Sequence, residues 1–190
     1  MNDKNDKLFL FKTDKLHSKL FITSKCTRRC EDCLNTKPEV LDTFKCINLF
    51  DFQIRHYESI TITGGEPFID LNLLNVLLST VPRTTKVYVR TNLDIIPDFH
   101  IIEQINGLNI EFNKMDLELN LRNKFSIATA LPKIFPFLSM RFYADSVVLK
   151  HLKRLCKKYK VNIPIIEITS ARLNENLANE DRWILNVEQI

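Results

Sequence analysis

Residues 19–33 read KLFITSKCTRRCEDC and join an apolar, strand-like run directly to a loop that holds three cysteines. The cysteines are spaced CxxxCxxC, at Cys26, Cys30 and Cys33. Thiolates are preferred ligands of iron–sulfur clusters and soft metals, and one short loop with three of them can surround a single metal centre. In a cluster of four irons, three local thiolates leave one iron open for another molecule. An open iron indicates chemistry rather than electron storage alone.

Two other interpretations of these cysteines stay open. A zinc site would need a fourth ligand, which Cys46, His17 or His56 could supply, although zinc sites usually contain CxxC pairs. A disulfide framework is disfavoured, because the chain has five cysteines, an odd number, and begins with the polar stretch MNDKNDK. The cysteines outside the loop, Cys46 and Cys156, fall in helical patterns and are expected to be buried or half-buried thiols.

The composition predicts one globular domain. The chain has 190 residues, of which 45% are apolar and 26% charged, and no apolar run is long enough to span a bilayer. Its 27 basic and 23 acidic side chains give a net charge of +4, so we expect no nucleic-acid partner. We expect residues 1–15 to be a polar, poorly ordered lead-in and residues 16–190 to form the domain. Free thiols and an oxygen-sensitive cluster would favour the cytoplasm.

Short β-rich runs alternate with helical patterns along the chain. Strands are predicted at residues 19–24, 59–63, 86–91, 108–113, 138–143 and 163–169. Helices are predicted near residues 46–57, 71–79, 98–106, 121–130 and 146–160. Strands separated by helix-length segments favour βαβ units and a parallel sheet, so the fold class is α/β. Six such units form either an open doubly wound sheet or a partial barrel.

The last three predicted strands alternate polar and apolar side chains. Successive side chains of a strand point to opposite faces, so one face of these strands is polar. The polar set is Asn109, Glu111, Asn113, Ser139, Arg141, Tyr143, Glu167 and Thr169. We expect this face to line the concave side of a curled sheet, where a polar ligand would satisfy Glu111, Arg141 and Glu167. The alternative is an internal arginine–glutamate pair with a structural role only.

Two of the three glycines are adjacent, in Gly64-Gly65-Glu66-Pro67, directly after the second predicted strand. A glycine pair allows a sharp turn and a close approach of the backbone to a ligand, and Pro67 stiffens the exit. This loop follows its strand as the cysteine loop (residues 26–33) follows the first one. Both loops therefore fall where βα-units bind ligands.

CxxxCxxC after the first strand and GGEP after the second resemble the radical S-adenosylmethionine superfamily. The pair Thr91-Asn92, which ends the third strand, is similar to that superfamily's TNG segment, with Leu93 in the glycine position. The resemblance covers roughly residues 18–170. It implies a partial (β/α)6 barrel, a TIM-like α/β fold of parallel strands.

The resemblance also implies a site. The cysteine loop would bind a [4Fe–4S] cluster, and the amino and carboxylate groups of S-adenosylmethionine would bind the fourth iron. The cofactor-binding residues expected from the resemblance and from the alternating strands are Gly64, Gly65, Glu66, Thr91, Asn92, Glu111 and Arg141. The expected substrate contacts are Asn113, Tyr143 and Glu167.

The chemistry that the resemblance implies is reductive. An electron from the cluster would break a carbon–sulfur bond of S-adenosylmethionine, giving methionine and a 5′-deoxyadenosyl radical that abstracts hydrogen from a substrate. An external one-electron donor would be required. The chain departs from the family pattern at Asp32, where many members have an aromatic residue beside the adenine. Its fifth strand also lacks the glycine-containing motif that many members carry there.

Residues 170–190 contain no cysteine, which disfavours an auxiliary-cluster domain. We therefore expect a small polar substrate, such as a sugar or nucleotide derivative. The alternatives are an activase that makes a glycyl radical on a partner protein, and a non-catalytic zinc or iron–sulfur interaction module. The C-terminal apolar residues are expected to close the open side of the barrel or to form a dimer interface, and they are Trp183, Ile184, Leu185 and Val187.

Overall fold

The computed structural model describes residues 16–30, 33, 37–53, 57–168 and 180–186. The strands in this part of the chain are β1 (His17–Thr23), β2 (Lys45–Ile47), β3 (Ser59–Gly64), β4 (Lys86–Thr91), β5 (Gly107–Phe112), β6 (Ser139–Ala144), β7 (Ile165–Glu167) and β8 (Glu180–Leu185). The helices are α1 (Pro38–Leu41), α2 (Leu49–Gln53), α3 (Leu71–Thr80), α4 (Phe99–Gln104), α5 (Lys114–Leu119), α6 (Leu121–Ile134) and α7 (Ser146–Tyr159). Among the described residues, no helix combines the length and the apolar character needed to cross a membrane.

The strands form one sheet in the order β2-β8-β1-β3-β4-β5-β6-β7, and all neighbours are parallel. Helices follow the central strands, because parallel neighbours need a crossover connection. The predicted α/β fold, a partial TIM-like barrel of parallel strands, is confirmed. Because all strands run the same way, the loops that follow them gather at one edge of the sheet, the carboxyl edge.

The register of the strands separates an apolar face from a polar one. Leu20 pairs with Ile62 and Leu108 pairs with Met140, and this face packs under the helices. Its helical partners include Leu74, Leu77, Ile101, Ile102, Phe125, Ala128, Val148 and Leu152. The opposite face of β4, β5 and β6 is the concave side of the sheet, which we call the concave face. It holds the polar side chains, because the helices leave it uncovered.

Aspartate or asparagine caps begin the helices that leave the carboxyl edge. The side chains of Asp70, Asp98, Asn113, Asn120 and Asp145 each accept a hydrogen bond from a backbone N–H in the first helical turn. Such a cap stabilises a helix by about 1 kcal/mol. Two of them, Asn113 and Asp145, directly follow β5 and β6, so the caps also fix the loops at this edge.

The predicted helix at residues 46–57 is wrong in its first half. Residues 45–47 form β2, which pairs with β8, and the helix in this region is α2. Cys46 is therefore an exposed strand residue, whereas Cys156 is buried on α7 as predicted. The partner of β2 lies far along the chain, so the local pattern did not contain this pairing. Helix α5 was not predicted either.

The C-terminal segment adds a strand rather than closing the barrel. Trp183, Ile184 and Leu185 lie in β8, which pairs with β1 on one side and with β2 on the other. The indole N–H of Trp183 donates to Tyr57 Oη at 2.9 Å, and Tyr57 donates to Asp181 at 2.9 Å. The sheet is thus extended on the β1 side, and Val187 lies outside the described residues.

The prediction that Glu167 shares a face with Glu111 and Arg141 is wrong. Strand β7 pairs Glu167 with Ala144, and Ala144 belongs to the apolar face that packs under the helices. Glu111 pairs instead with Tyr143, on the concave face. The side chains of β7 do alternate between the two faces, as predicted. The pairing of β7 with β6 shows that Glu167 belongs to the side chains that face the helices. Thr169 lies outside the described residues.

Candidate functional site

The three cysteines of the CxxxCxxC motif lie after β1, at the carboxyl edge. Cys26 is exposed, Cys30 and Cys33 are half-buried, and all three are free thiols. The backbone N–H of Cys33 donates to the carbonyl of Cys30 at 3.3 Å. Among the described residues, no three histidine, cysteine or acidic side chains are grouped in a way that could hold a metal ion. The three thiols therefore lie on one loop, but their sulfur atoms do not point to a common centre.

The structure does not bring the candidate zinc ligands to this loop. His17 begins β1, at the opposite end of the strand, where its Nδ1 lies 2.8 Å from Ser59 Oγ. A strand of this length separates His17 from the loop by about 20 Å. Cys46 lies on β2, two strand positions from β1, which corresponds to about 10 Å. His56 is outside the described residues.

Amide donors surround two of the thiols. Asn113 Nδ2 lies 3.5 Å from Cys30 Sγ, and the backbone N–H of Arg28 lies 3.4 Å from Cys26 Sγ. Asn92 Nδ2 lies 3.8 Å from Cys26 Sγ. Hydrogen bonds to cysteine sulfur stabilise the thiolate and tune the potential of a bound cluster. The chemistry of this donor set fits a thiolate-ligated iron–sulfur cluster.

Burial is the main influence on the Cys30 thiol and raises its pKa. The neighbouring Cys33 raises that pKa further, while the guanidinium of Arg28 opposes the rise. A thiol with a raised pKa stays protonated until a cation compensates its charge. Loading of a metal centre would therefore release a proton from Cys30.

A charge cluster that sequence reasoning missed lies beneath the loop, and all of its members except Asp94 are buried. Its members are Arg28, Asp94, Asp116 and Lys124. The Arg28 side chain is only 4% exposed; its Nε lies 2.6 Å from Asp94 Oδ2 and its Nη2 lies 2.8 Å from Asp116 Oδ1. Lys124 Nζ lies 3.0 Å from Asp116 Oδ2. Two cations and two carboxylates thus balance each other, as buried charges require.

The pKa values in the charge cluster follow from this balance. Burial alone would lower the pKa of Arg28, but the hydrogen bonds to Asp94 and Asp116 outweigh it and raise that pKa. Burial opposes ionisation of Asp94, yet the hydrogen bond and charge of Arg28 hold the Asp94 pKa below its ordinary value. Burial lowers the pKa of Lys124, and Asp116 only partly offsets it. Arg28, a residue of the cysteine loop, is therefore held by charge to Asp94, which follows β4, and to Asp116 on α5.

The glycine pair lies against the backbone that follows β1. A Cβ on Gly64, whose φ is +146°, would lie 2.3 Å from the Thr23 carbonyl oxygen, and a Cβ on Gly65 would lie 2.1 Å from that of Lys25. The N–H of Gly65 donates to Thr23 at 2.7 Å, and the N–H of Glu66 donates to Lys25 at 2.7 Å. The glycines thus allow the loop after β3 to bond to the backbone that leads into the cysteine loop.

Glu66 is fully buried and joins two predicted parts of the site. Its carboxylate accepts from Thr91 Oγ1 at 2.8 Å, from the backbone N–H of Asn92 at 2.9 Å and from that of Phe68 at 3.3 Å. Burial raises the Glu66 pKa, although these hydrogen bonds favour the ionised form. The side chain thus bonds the GGEP loop to the Thr91-Asn92 segment.

The segment after β4 contacts the cysteine loop. Asn92 Nδ2 donates to Thr27 Oγ1 at 3.1 Å, and Asn92 Oδ1 accepts from the backbone N–H of Asp94 at 2.9 Å. Leu93 has a φ of +58°, the left-handed conformation that favours glycine. The position that aligns with glycine in the TNG segment thus keeps a glycine-like backbone, and the Leu93 side chain is buried at 4% exposure.

The concave face contains an arginine–glutamate pair, but not the expected one. Glu111 Oε2 lies 2.8 Å from Arg90 Nη2, and the Arg90 guanidinium lies 5.2 Å from the centre of the Tyr143 ring. Arg141 lies over the Tyr88 ring instead, at 5.5 Å. Tyr88 and Arg90 were missed, although the KVYVRT stretch of β4 alternates as clearly as β5 and β6.

The predicted site residues therefore divide into three groups. The cysteine loop, the glycine pair, Glu66, Thr91, Asn92 and Asn113 meet at the carboxyl edge. Glu111, Tyr143 and Arg141 lie on the concave face, with Arg141 about 6–7 Å deeper than Glu111 because it pairs with Asn109, two residues earlier. Glu167 points to the other face. Asp32 lies outside the described residues.

Solved structures of the Streptococcus suis protein SuiB superpose on this chain. SuiB bound to the precursor peptide SuiA superposes with a TM-score of 0.57 at 15% sequence identity, over 90% of this chain and 49% of that one. SuiB bound to S-adenosylmethionine gives a TM-score of 0.53 at 15% identity, over 90% and 47% of the two chains. The chain shares the fold of SuiB.

At this identity the likeness concerns the fold, and the chain spans about half the length of SuiB. No protein-family model and no curated protein matches the chain in sequence.

Proposed function

We propose that this chain is a radical S-adenosylmethionine enzyme that acts on a small polar substrate. The observation that carries the proposal is the position of the CxxxCxxC motif. It follows β1 of a partial parallel barrel. The GGEP loop bonds to the backbone that leads into the motif, and Asn92 bonds to Thr27 within it. Ligand sites of βα-barrels lie at this edge. The fold is shared with a protein solved in complex with S-adenosylmethionine.

Cys26, Cys30 and Cys33 would hold the cluster. Once bound, the cluster and S-adenosylmethionine would supply a radical able to abstract hydrogen from an unactivated carbon. The amide groups of Asn92 and Asn113 would donate to the sulfur atoms, and the guanidinium of Arg28 would offset negative charge beneath the loop.

The concave face would bind the organic ligands. Glu111 lies nearest to the cysteine loop and is partly exposed, so its carboxylate is suited to accept hydrogen bonds from ribose hydroxyls. Arg90 would hold the Glu111 side chain in place. The deeper part of the face would then remain for the substrate.

A peptide or protein substrate is the second candidate. It is favoured by one observation, that SuiB has been solved with a precursor peptide bound. A small molecule would fit within the concave face, whereas a peptide must extend beyond it. Binding of small phosphorylated or carboxylated sugars to the reconstituted protein would favour the small-molecule candidate over the peptide.

The proposal is tested by anaerobic reconstitution with iron and sulfide, followed by addition of dithionite and S-adenosylmethionine and an assay for 5′-deoxyadenosine. We expect about four irons and four sulfides per chain, with turnover. Cys30→Ala should abolish both, whereas Cys46→Ala, which removes an exposed thiol outside the loop, should retain both. Stoichiometric zinc without 5′-deoxyadenosine would contradict the proposal and support a structural metal module.

A further inference from the structure

The concave face of β4, β5 and β6 carries a surplus of positive charge. Its inward positions, fixed by the strand register, are Lys86, Tyr88, Arg90, Gly107, Asn109, Glu111, Ser139, Arg141 and Tyr143. These include three cations and one carboxylate. Arg90 is paired with the carboxylate of Glu111. The charges of the deeper cations, Lys86 and Arg141, are therefore available to a ligand or to solvent.

Arg141 is the cation best placed to meet a ligand. Its side chain is exposed, and among the described residues it forms no ion pair. The guanidinium lies 5.5 Å from the centre of the Tyr88 ring, which orients it without neutralising its charge. Tyr88 can take this position because its neighbour across the sheet is Gly107, whose absent Cβ would lie 3.0 Å from Tyr88 Cδ1.

Asn109 supplies a second, independent observation. It is 5% exposed, and its Oδ1 atom has no hydrogen-bond partner among the described residues. In the sheet it lies between Arg90 on β4 and Arg141 on β6, which share its face. A buried acceptor without a donor is costly, and a bound molecule that donates a hydrogen bond to it would remove that cost.

We propose that Arg141, Asn109 and Tyr88 form the subsite that binds the anionic end of the substrate. The ligand is a small molecule that carries a phosphate or carboxylate group beside a hydroxyl or amino group. The phosphate or carboxylate binds the Arg141 guanidinium, whose planar fork of N–H donors matches the oxygens of either anion. The adjacent hydroxyl or amino group of the ligand donates a hydrogen bond to Asn109 Oδ1. This proposal rests on the proposed function, in which the concave face receives the substrate.

The depth of the subsite assigns it to the substrate rather than to the cofactor. The cofactor's iron-binding end belongs at the carboxyl edge, beside the cysteine loop. Arg141 and Asn109 lie one strand repeat, about 6–7 Å, below Glu111. The other end of a molecule bound in this subsite would point to the carboxyl edge, where the cofactor is expected to bind.

The test is calorimetric titration of the reconstituted protein and of the cluster-free chain with three probes, galactose 6-phosphate, galacturonate and neutral galactose. We expect at least one anionic probe to bind about tenfold or more tightly than galactose, with affinity that falls as salt rises. Arg141→Gln should remove this preference. The matched control is Arg154→Gln, an exposed arginine on α7, which should leave affinities within about twofold.

Which anion binds more tightly identifies the group as phosphate or carboxylate. The proposal is overturned if neither anion binds more tightly than galactose, or if Arg141→Gln and Arg154→Gln act alike. The proposal is also overturned if S-adenosylmethionine displaces the bound probe and this competition disappears in Arg141→Gln. That result would show that Arg141 binds the cofactor. The titration measures binding and does not depend on turnover. A failure to form 5′-deoxyadenosine would therefore refute the proposed function, while the titration would still test the anion subsite.

Discussion

Thr91 Oγ1 lies 2.8 Å from Glu66 Oε1, and this buried hydrogen bond joins the ends of β3 and β4 directly behind the cysteine loop. Both side chains are almost completely buried, Glu66 at 0% exposure and Thr91 at 2%. The carboxylate of the GGEP loop thus positions the neighbouring segment. The same hydroxyl accepts from the backbone N–H of Leu93 at 2.8 Å, which extends the network to the left-handed residue.

The first prediction concerns this hydrogen bond. Thr91→Val should lower the free energy of unfolding by about 1–3 kcal/mol, because it leaves part of a buried carboxylate unsatisfied. Urea titration measures the effect. Thr129→Val is the control, since that hydroxyl bonds to carbonyls of its own helix, and a change below about 0.5 kcal/mol is expected there. Equal losses in the two variants would contradict this role of Thr91.

The second prediction concerns the two neighbouring arginines of the cysteine loop. Arg28→Met should cost about 3–5 kcal/mol, because it leaves Asp94 without its arginine partner and leaves Asp116 with Lys124 alone. Arg29→Met, one residue away and exposed, should change stability by less than about 0.5 kcal/mol. Iron content per folded chain should fall in Arg28→Met only, and iron retention by that variant would show that the charge cluster does not position the loop.

The third prediction is a pH dependence. Burial opposes ionisation of Asp94, but Arg28 outweighs it and places the pKa below the ordinary value of 3.8. The ionised form is therefore favoured by folding, so its contribution is present above pH 3.8 and is lost as the pH falls through the lowered pKa. The stability difference between the native chain and Asp94→Asn should be constant near neutral pH and shrink in acid. A difference that grows as the pH falls would contradict the assignment.

The fourth prediction separates two glycines. Gly65→Ala should lower stability by about 1–3 kcal/mol and also reduce iron binding, because the new Cβ collides with the Lys25 carbonyl that precedes Cys26. Gly107→Ala meets the Ser139 carbonyl at 2.4 Å and should also destabilise the fold. It lies at the start of β5, far from the loop, so iron per folded chain should be unchanged. Equal iron loss in both variants would argue against a role of Gly65 in placing the cysteines.

The fifth prediction is that glycine at position 93 destabilises the protein less than alanine does, the reverse of the usual order. Leu93→Ala should cost about 2–5 kcal/mol, because it removes a buried side chain and keeps the left-handed strain. Leu93→Gly loses the same contacts but relieves about 1 kcal/mol of strain, so it should be the milder change. Thermal unfolding of both variants decides this, and an alanine variant more stable than the glycine variant would contradict it.

Much of the site arrangement could be predicted from the sequence. CxxxCxxC and GGEP each follow a β-rich run, and parallel strands bring the loops after them to one edge. The alternation of β5 and β6 correctly placed Glu111, Arg141 and Tyr143 on one face. Both inferences work because strand periodicity and strand direction are local properties that fix side-chain position in a parallel sheet.

The charge cluster could not be predicted in this way. Arg28 finds its partners 66 and 88 residues further along the chain, in Asp94 and Asp116. One partial signal exists in the sequence, since Asn113 and Asp116 have the spacing of a capping box after a strand. That pattern predicts the helix start but does not reveal that the cap also receives an arginine from the cysteine loop.

Local patterns and the order of the elements along the chain predict the parallel α/β class, the bounds of β1 and of β3 to β7 within a few residues, and the edge at which the cysteines lie. Three features are visible only in the folded chain: β2 and β8 join the sheet, Glu167 faces the helices, and Glu111 pairs with Arg90. Periodicity states which residues share a face within one strand. The orientation of that face, and the identity of charge partners, depend on pairing between distant segments, which only the folded chain defines.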